Sequence, residues 1–83
     1  MDKYLRKLAT KLLEIKSEKE MLEFLAALFT PKEMEEIPKR LEIVKMLKKG
    51  DPQRLVAEKL GVGIATVTRG SRELKLNHFK NVA

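Results

Sequence analysis

The sequence predicts an all-α fold, and three observations support this class. Apolar residues recur at helical spacing along most of the chain, and no segment alternates with the period of a strand. β-branched residues, which favour strands, do not cluster. Pairs of residues typical of helix starts, Thr30-Pro31 and Asp51-Pro52, separate the periodic segments. We therefore expect helices joined by short turns.

The first two predicted helices lie in the N-terminal third of the chain. Apolar residues recur at helical spacing from Leu5 to Ile15 and predict an amphipathic helix over residues 2–15. Ser17, followed by Glu20 at the third helical position, forms a capping-box pattern. This pattern marks the start of a second helix.

The segment MLEFLAALF, residues 21–29, carries apolar side chains around nearly the whole circumference of the second helix. Such a helix must be buried on all sides. A chain of 83 residues has few helices to enclose it and, without cysteine, neither disulfides nor thiolate metal sites to support a small core. We therefore expect an intertwined homodimer, in which a second copy covers this helix. The alternative is a central core helix within a monomer.

The third predicted helix begins at Thr30-Pro31, since threonine is a good N-cap and proline suits the first helical position. Glu33 can bond back to the cap, and Gly50 ends the helix after Lys49. Pro38 lies inside the helix and lacks the amide that would bond to the preceding turn, so we expect a kink or a short break. The apolar residues are Met34, Ile37, Leu41, Ile43, Val44, Met46 and Leu47.

Two short helices follow, joined by a turn that contains glycine. Asp51 is expected to cap the first helix, and the second begins near Ile64. The small residue Ala57 allows the second helix to cross closely, Gly61 supplies a positive φ, and Val67 fills the gap between the helices. This spacing predicts a helix-turn-helix. The remaining packing is expected from Leu60, Val62 and Ile64.

The charge distribution indicates a polyanionic partner. The net charge is +6, and six basic residues but only two acidic ones lie from Gln53 onward. Small and hydroxylated residues near a helix N-terminus allow close approach to the base edges of double-stranded DNA, and nearby cations contact phosphates. The alternative is a solvated charged face. The predicted exposed face of the second short helix comprises Ala65, Thr66, Thr68, Arg69 and Arg72.

Gly70 stands inside this second helix, where glycine costs about 1 kcal/mol relative to alanine. Its position points inward, so the missing side chain predicts an unfilled notch next to Arg69. A flat apolar ligand with a carboxylate would place its ring in the notch and its charge on Arg69. The alternative is that a neighbouring side chain, such as Phe29 of the partner subunit, fills the space.

Other classes of function have little support in the sequence. The only histidine, His78, lies in a predicted frayed tail, Ser71 has no base near it, and no phosphate-binding glycine loop occurs, so we do not expect an enzyme or a metal site. No signal peptide or membrane span is evident, which favours a cytoplasmic protein. Another possible function is a protein-interaction or membrane-surface module that uses the basic amphipathic first helix.

The segment GIATVTRGS, residues 63–71, resembles the recognition helix of the bacterial tryptophan repressor family. LFTPKEMEEIPKRLEIVKMLKKG, residues 28–50, resembles the central helices of that family. The resemblance implies an intertwined all-α homodimer that binds operator DNA only with L-tryptophan as its corepressor. The implied organisation is one Trp-repressor-like domain over 1–83, with dimerisation helices in 1–50, a helix-turn-helix in 51–75 and a frayed tail in 76–83.

The resemblance also implies two sets of binding residues. In the family the indole lies between two arginines, which match Arg40 and Arg69, and Arg69 also holds the ligand carboxylate with help from Thr30. Gly70 gives the ring its room, and the ligand ammonium bonds to the backbone carbonyls of Ala27 and Phe29, at the electronegative end of a helix. The implied DNA contacts are Gln53, Arg54, Ile64, Ala65, Thr66 and Thr68.

Three departures from the family pattern bear on function. Glu73 replaces a serine near the ligand ammonium, and its carboxylate is expected to pair with that ammonium or with Arg69 or Arg72. The turn at Gly50–Gln53 is one residue shorter, and the last helix of the family is nearly absent after Lys75. Beside the interaction module, two DNA-binding functions remain open: a repressor gated by L-tryptophan, and a constitutive helix-turn-helix dimer without a small ligand.

Overall fold

A computed structural model describes residues 2–82, which contain five α-helices and no strand. Met1 and Ala83, the outer limits of the predicted domain, lie outside the described residues. The predicted all-α class is confirmed. The helices are α1 (Lys3–Glu14), α2 (Glu18–Leu28), α3 (Pro31–Lys49), α4 (Gln53–Leu60) and α5 (Ile64–Lys75).

The chain divides into two compact units between Met34 and Glu35, within α3. The first unit has well-capped helices, and the predicted cap at Ser17 is confirmed, because its Oγ accepts a hydrogen bond from the Glu20 amide at 3.1 Å. Neither α1 nor α2 contains a fully buried residue. Leu22 is 53% exposed, so α2 is not a buried core helix of this single chain.

The predicted capping box at the start of α3 is confirmed in both directions. Thr30 Oγ1 accepts from the Glu33 amide at 3.2 Å, and Glu33 Oε1 accepts from the Thr30 amide at 2.9 Å. The bond from the Thr30 backbone amide, followed by one from the Thr30 side chain, favours the Glu33 carboxylate and lowers its pKa. Of the kink or short break expected at Pro38, the break is wrong, because α3 is continuous from Pro31 to Lys49, and the kink stays a prediction.

The second unit contains all the fully buried residues of the described chain. Ile43, Val56 and Val67 form one cluster, which joins the end of α3 to the packed pair of α4 and α5. Val44 is also buried. This cluster fixes α5 against α3 and α4. The half-buried residues packed around the cluster are Met46, Leu47, Ala57, Leu60 and Val62.

The turn between α4 and α5 has the predicted geometry. Gly61 adopts a left-handed conformation with φ of 64°, and its amide bonds back to the end of α4.

Two local predictions about α4 and α5 are wrong. Pro52 rather than Asp51 is the N-cap residue of α4, since the Asp51 carboxylate lies 3.7 Å from Lys49 Nζ instead. Ile64 is 53% exposed and adds little to the packing.

After α5, residues Leu76–Asn81 form a series of turns. Asn77 has a left-handed φ of 64°, which redirects the chain at the helix end. Lys48 Nζ donates to the carbonyl of Phe79 at 2.7 Å and also to the carbonyl of Val82. The segment therefore folds back onto the end of α3. Fraying of this tail concerns its motion and stays a prediction.

Candidate functional site

A cavity of about 450 Å³ lies between the second half of α3 and α5. Small-molecule sites in proteins commonly have volumes of about 300–1,000 Å³. Of the predicted ligand-binding residues, the structure brings four to this cavity: Arg40, Arg69, Gly70 and Glu73. Its other lining residues are Ile43, Val44, Ala65, Thr66 and Phe79.

The space directly above Gly70 is occupied by the protein itself. A Cβ atom built at Gly70 would lie 2.9 Å from Cγ2 of Ile43, which is too close for ordinary contact. The expectation of an unfilled notch at this point is therefore corrected, since the buried Ile43 side chain fills it. Gly70 permits close packing of α5 on α3, and the open space lies beside this contact.

One face of α5 forms a long side of the cavity. Its lining residues recur at helical spacing from Ala65 through Arg69 to Glu73, which are each four positions apart. Ala65 and Thr66 also belong to the predicted DNA-binding set. A molecule in the cavity would thus lie against the same helix that carries the predicted base contacts.

The cavity is bordered by cations. Arg40 and Arg69 are exposed, and neither forms an ion pair within residues 2–82. A guanidinium binds a carboxylate through two parallel hydrogen bonds and stacks on aromatic faces. The two arginines can therefore hold the charge and the ring of an aromatic acid.

The expected ion pair of Glu73 with Arg69 or Arg72 is not present. Glu73 Oε2 instead contacts Nδ1 of His78, which the turn at Asn77 brings beside it. The Glu73 side chain is 31% exposed and lines the cavity, so its carboxylate remains accessible to a ligand ammonium. No group of side chains suited to a metal ion occurs among residues 2–82.

The other predicted ligand contacts belong to the first unit. The carbonyl of Ala27 lies in the last turn of α2. In a longer helix it would accept from the residue four positions on, but that residue is Pro31, which has no N–H. Phe29 is the C-cap of α2. Thr30 Oγ1 accepts a hydrogen bond from the Glu33 amide, and a hydroxyl can also donate to a carboxylate. Their role in ligand binding stays a prediction.

The predicted DNA-binding residues lie in α4 and α5. Gln53 is half-buried and the others are exposed. Thr68 Oγ1 lies 3.0 Å from Gln53 Oε1 and 3.0 Å from the Ile64 carbonyl, so two predicted contact residues are linked across the helix pair. The exposed members of the set are Arg54, Ile64, Ala65, Thr66, Thr68, Arg69 and Arg72.

Sequence reasoning missed two lining residues of the cavity and the lysine that contacts one of them. Ile43 was assigned only to the apolar residues of the third helix and Phe79 to the frayed tail, and Lys48 was given no role at the site. No local signal could identify Phe79, because its position depends on the turn at Asn77 and on the bonds from Lys48. Ile43 could have been suspected, since a glycine inside a helix often marks close approach of another element.

Comparison with known proteins identifies one family and several similar sequences. The family model described as Trp repressor protein matches residues 3–81. A Trp operon repressor homolog of Vibrio vulnificus (strain YJ016) is 50% identical over 60 residues, which cover 71% of this chain and 59% of that relative. A second, from Vibrio campbellii, is 52% identical over 52 residues, which cover 61% of this chain and 52% of the relative.

The chain thus aligns with little more than half the length of these relatives. No solved structure matches it. No helix within residues 2–82 is both long and apolar enough to cross a membrane. Because the family model matches residues 3–81, which are nearly all of this chain, the chain belongs to the Trp repressor protein family.

Proposed function

We propose that this protein is a transcriptional repressor that binds double-stranded operator DNA as a cytoplasmic homodimer, with L-tryptophan as corepressor. The observation that carries the proposal is the cavity between α3 and α5, which is lined by Arg40 of α3 and by Arg69 of α5, the predicted recognition helix. Membership of the repressor family supports the same function. The proposal includes no catalytic step and no metal.

In the proposed complex, the indole ring of L-tryptophan enters the cavity beside Ile43 and Val44, whose apolar side chains line it. The carboxylate pairs with Arg69, and Arg40 stacks on the ring. The ammonium pairs with Glu73, which replaces the serine expected from the family.

Gating follows from the shared use of α5. A ligand held between α3 and α5 stabilises the arrangement of these helices that can bind it and lowers the population of others. If that arrangement is also the one that fits the major groove, ligand and DNA binding are coupled. A coupling free energy of about 2 kcal/mol corresponds to about thirty-fold tighter DNA binding.

The homodimer is supported by the apolar surface of the first unit. Leu5, Leu13, Leu22 and Leu28 in α1 and α2 are each about half exposed or more. Large apolar side chains in such number commonly mark an interface with another protein. A second copy of the chain offers the same surfaces and closes a symmetric interface.

The gating proposal can be tested on a duplex selected from a random library by the full chain in the presence of L-tryptophan. Fluorescence anisotropy would then measure DNA affinity with and without L-tryptophan. We expect about thirty-fold tighter binding with the ligand. Equal binding in both conditions would favour the constitutive dimer, and no selection of duplex DNA would contradict both functions.

Two variants localise the effect. Arg40→Ala removes a cation that lines the cavity but is outside the predicted DNA-binding set, so it should abolish the tryptophan response while ligand-free DNA binding persists. Lys39→Ala is the matched control, because it removes one positive charge from the adjacent position of α3. It should retain the response.

A further inference from the structure

We infer that Phe79 determines ligand specificity by supplying the aromatic wall of the cavity between α3 and α5. This inference rests on the proposed function, because it concerns the ligand of the same cavity. Phe79 is the only aromatic residue among those described that lines the cavity. The remaining walls consist of aliphatic, small, hydroxylated and charged side chains.

Backbone hydrogen bonds of the two preceding residues set the path of the chain that leads to Phe79. The amide of Asn77 donates to the Leu74 carbonyl at 3.0 Å, and the amide of His78 donates to the Glu73 carbonyl at 3.1 Å. The left-handed conformation of Asn77 then turns the chain back toward the cavity. These contacts set the direction in which the chain leaves α5.

Lys48 holds the other side of the same turn. Its ammonium donates to the carbonyl of Phe79 at 2.7 Å and to that of Val82, so one α3 side chain anchors both ends of a short segment. The Val82 amide also bonds to the Phe79 carbonyl, at 3.1 Å. Lys48 is thus a positioning residue that acts on the ligand through Phe79.

The chemistry of the wall selects planar rings. Aromatic pairs in offset-stacked or edge-to-face arrangements gain stabilisation beyond that from buried area, and an aliphatic ligand gains none of it. Arg40 and Arg69 add cation–π attraction for the same class of ligand. Phe79 therefore favours aromatic amino acids over aliphatic ones and limits the size of the ring that fits.

The test is isothermal titration calorimetry of the full chain with L-tryptophan and with tryptophans methylated at each benzo-ring carbon. Phe79→Leu keeps an apolar side chain but removes the ring, and should weaken L-tryptophan binding about five-fold. Phe79→Ala should weaken it further while improving the affinity for at least one methylated tryptophan. Damage to the fold would not produce such a gain in affinity. Circular dichroism would show whether each variant is folded.

Leu76→Ala is the matched control, since Leu76 lies at the start of the same turn and is 58% exposed. It should bind L-tryptophan as the wild type does. Lys48→Met should reproduce part of the Phe79→Leu loss, whereas Lys45→Met, which removes a lysine three positions earlier on α3, should not.

The outcomes separate the inference from the proposed function. If the wild type binds L-tryptophan and both Phe79 variants bind each ligand with the same affinity as the wild type, the assignment of Phe79 is overturned and the proposed function stands. If the wild type binds none of these aromatic amino acids, the proposed function fails, and the assignment fails with it. If Phe79→Ala unfolds, the Phe79→Leu titration decides.

Discussion

The two units of this chain contain similar helices but differ in what covers their apolar residues. In the second unit, Val56 and Val67 are completely buried by α3, α4 and α5. In the first unit no residue of α1 or α2 is fully buried, and Leu13 is 83% exposed. An amphipathic sequence alone therefore does not make a core. The helices α3, α4 and α5 cover one another's apolar residues, whereas α1 and α2 leave large apolar side chains exposed.

The sharpest test of this contrast is a charge in the core of the second unit. Val67→Asp would bury an unpaired carboxylate at a site that is 0% exposed, and we expect a loss of more than about 4 kcal/mol in the free energy of unfolding. Urea denaturation would measure the loss. Thr66→Asp, the exposed neighbour, should change stability by less than about 0.5 kcal/mol.

The equivalent change in the first unit should act through assembly. Leu22→Asp places a charge on an exposed apolar position of α2, which we expect to lie in the dimer interface. The dimer dissociation constant should rise by about one hundred-fold or more, as measured by sedimentation velocity at several concentrations. Thr10→Asp, an exposed polar position of α1, is the control. A wild-type monomer at high concentration would refute the proposed role of α2.

Gly70→Ala tests how tightly the second unit is packed. Its new Cβ would meet Ile43 Cγ2 at 2.9 Å, and overpacking costs about 1–3 kcal/mol, against about 1 kcal/mol gained from helix propensity. We expect a net loss of about 1 kcal/mol by thermal unfolding. In an Ile43→Ala background the sign should reverse. Stabilisation in the wild-type background would restore the interpretation of a vacant notch.

The bond between α4 and α5 should have a smaller effect. Thr68→Val removes the hydroxyl that lies 3.0 Å from Gln53 Oε1, and we expect a loss of about 0.5–1 kcal/mol by urea denaturation. Thr10→Val is a matched control, because both hydroxyls bond to the carbonyl four residues earlier at 3.0 Å. Equal losses in the two variants would show that the bond to Gln53 adds no stability.

The smallest expected effect is the pH dependence of the capping box between Thr30 and Glu33. The pKa of Glu33 is lowered by its bonds to Thr30, so the box stabilises fully above the usual pKa of a glutamate. This stability is lost as pH falls through the lowered pKa. Glu33→Gln should therefore be slightly less stable than the wild type at neutral pH and equal to it in acid. Thermal unfolding from about pH 2 to pH 7 would measure the difference, with Glu23→Gln as control.

Much of the fold was predictable because its signals are local. The capping residues Ser17 and Thr30 and the left-handed Gly61 act through neighbours within a few positions, and the structure has each of them as expected. The prediction of a cap at Asp51 failed, because Pro52 is the N-cap residue and no side chain caps α4. At Pro38 the break is wrong, since α3 is continuous there, and the kink stays a prediction.

The candidate site was predictable only in part. Arg40, Arg69, Gly70 and Glu73 were identified mainly through the resemblance to a known family, and the structure brings them to one cavity. The partner of Glu73 was not predictable, because no pattern in the sequence announces the chain reversal at Asn77. Phe79 was missed for the same reason.

The positions of the helices and the pairing of α4 with α5 follow from sequence patterns, since helical periodicity, caps and glycine conformation are properties of short segments. The packing of Ile43 on Gly70, the place of Phe79 in the cavity wall and the bond from Lys48 to the Phe79 carbonyl follow from tertiary contacts alone. These contacts join residues that are 27 to 31 positions apart, and their geometry depends on how whole helices pack rather than on any local preference.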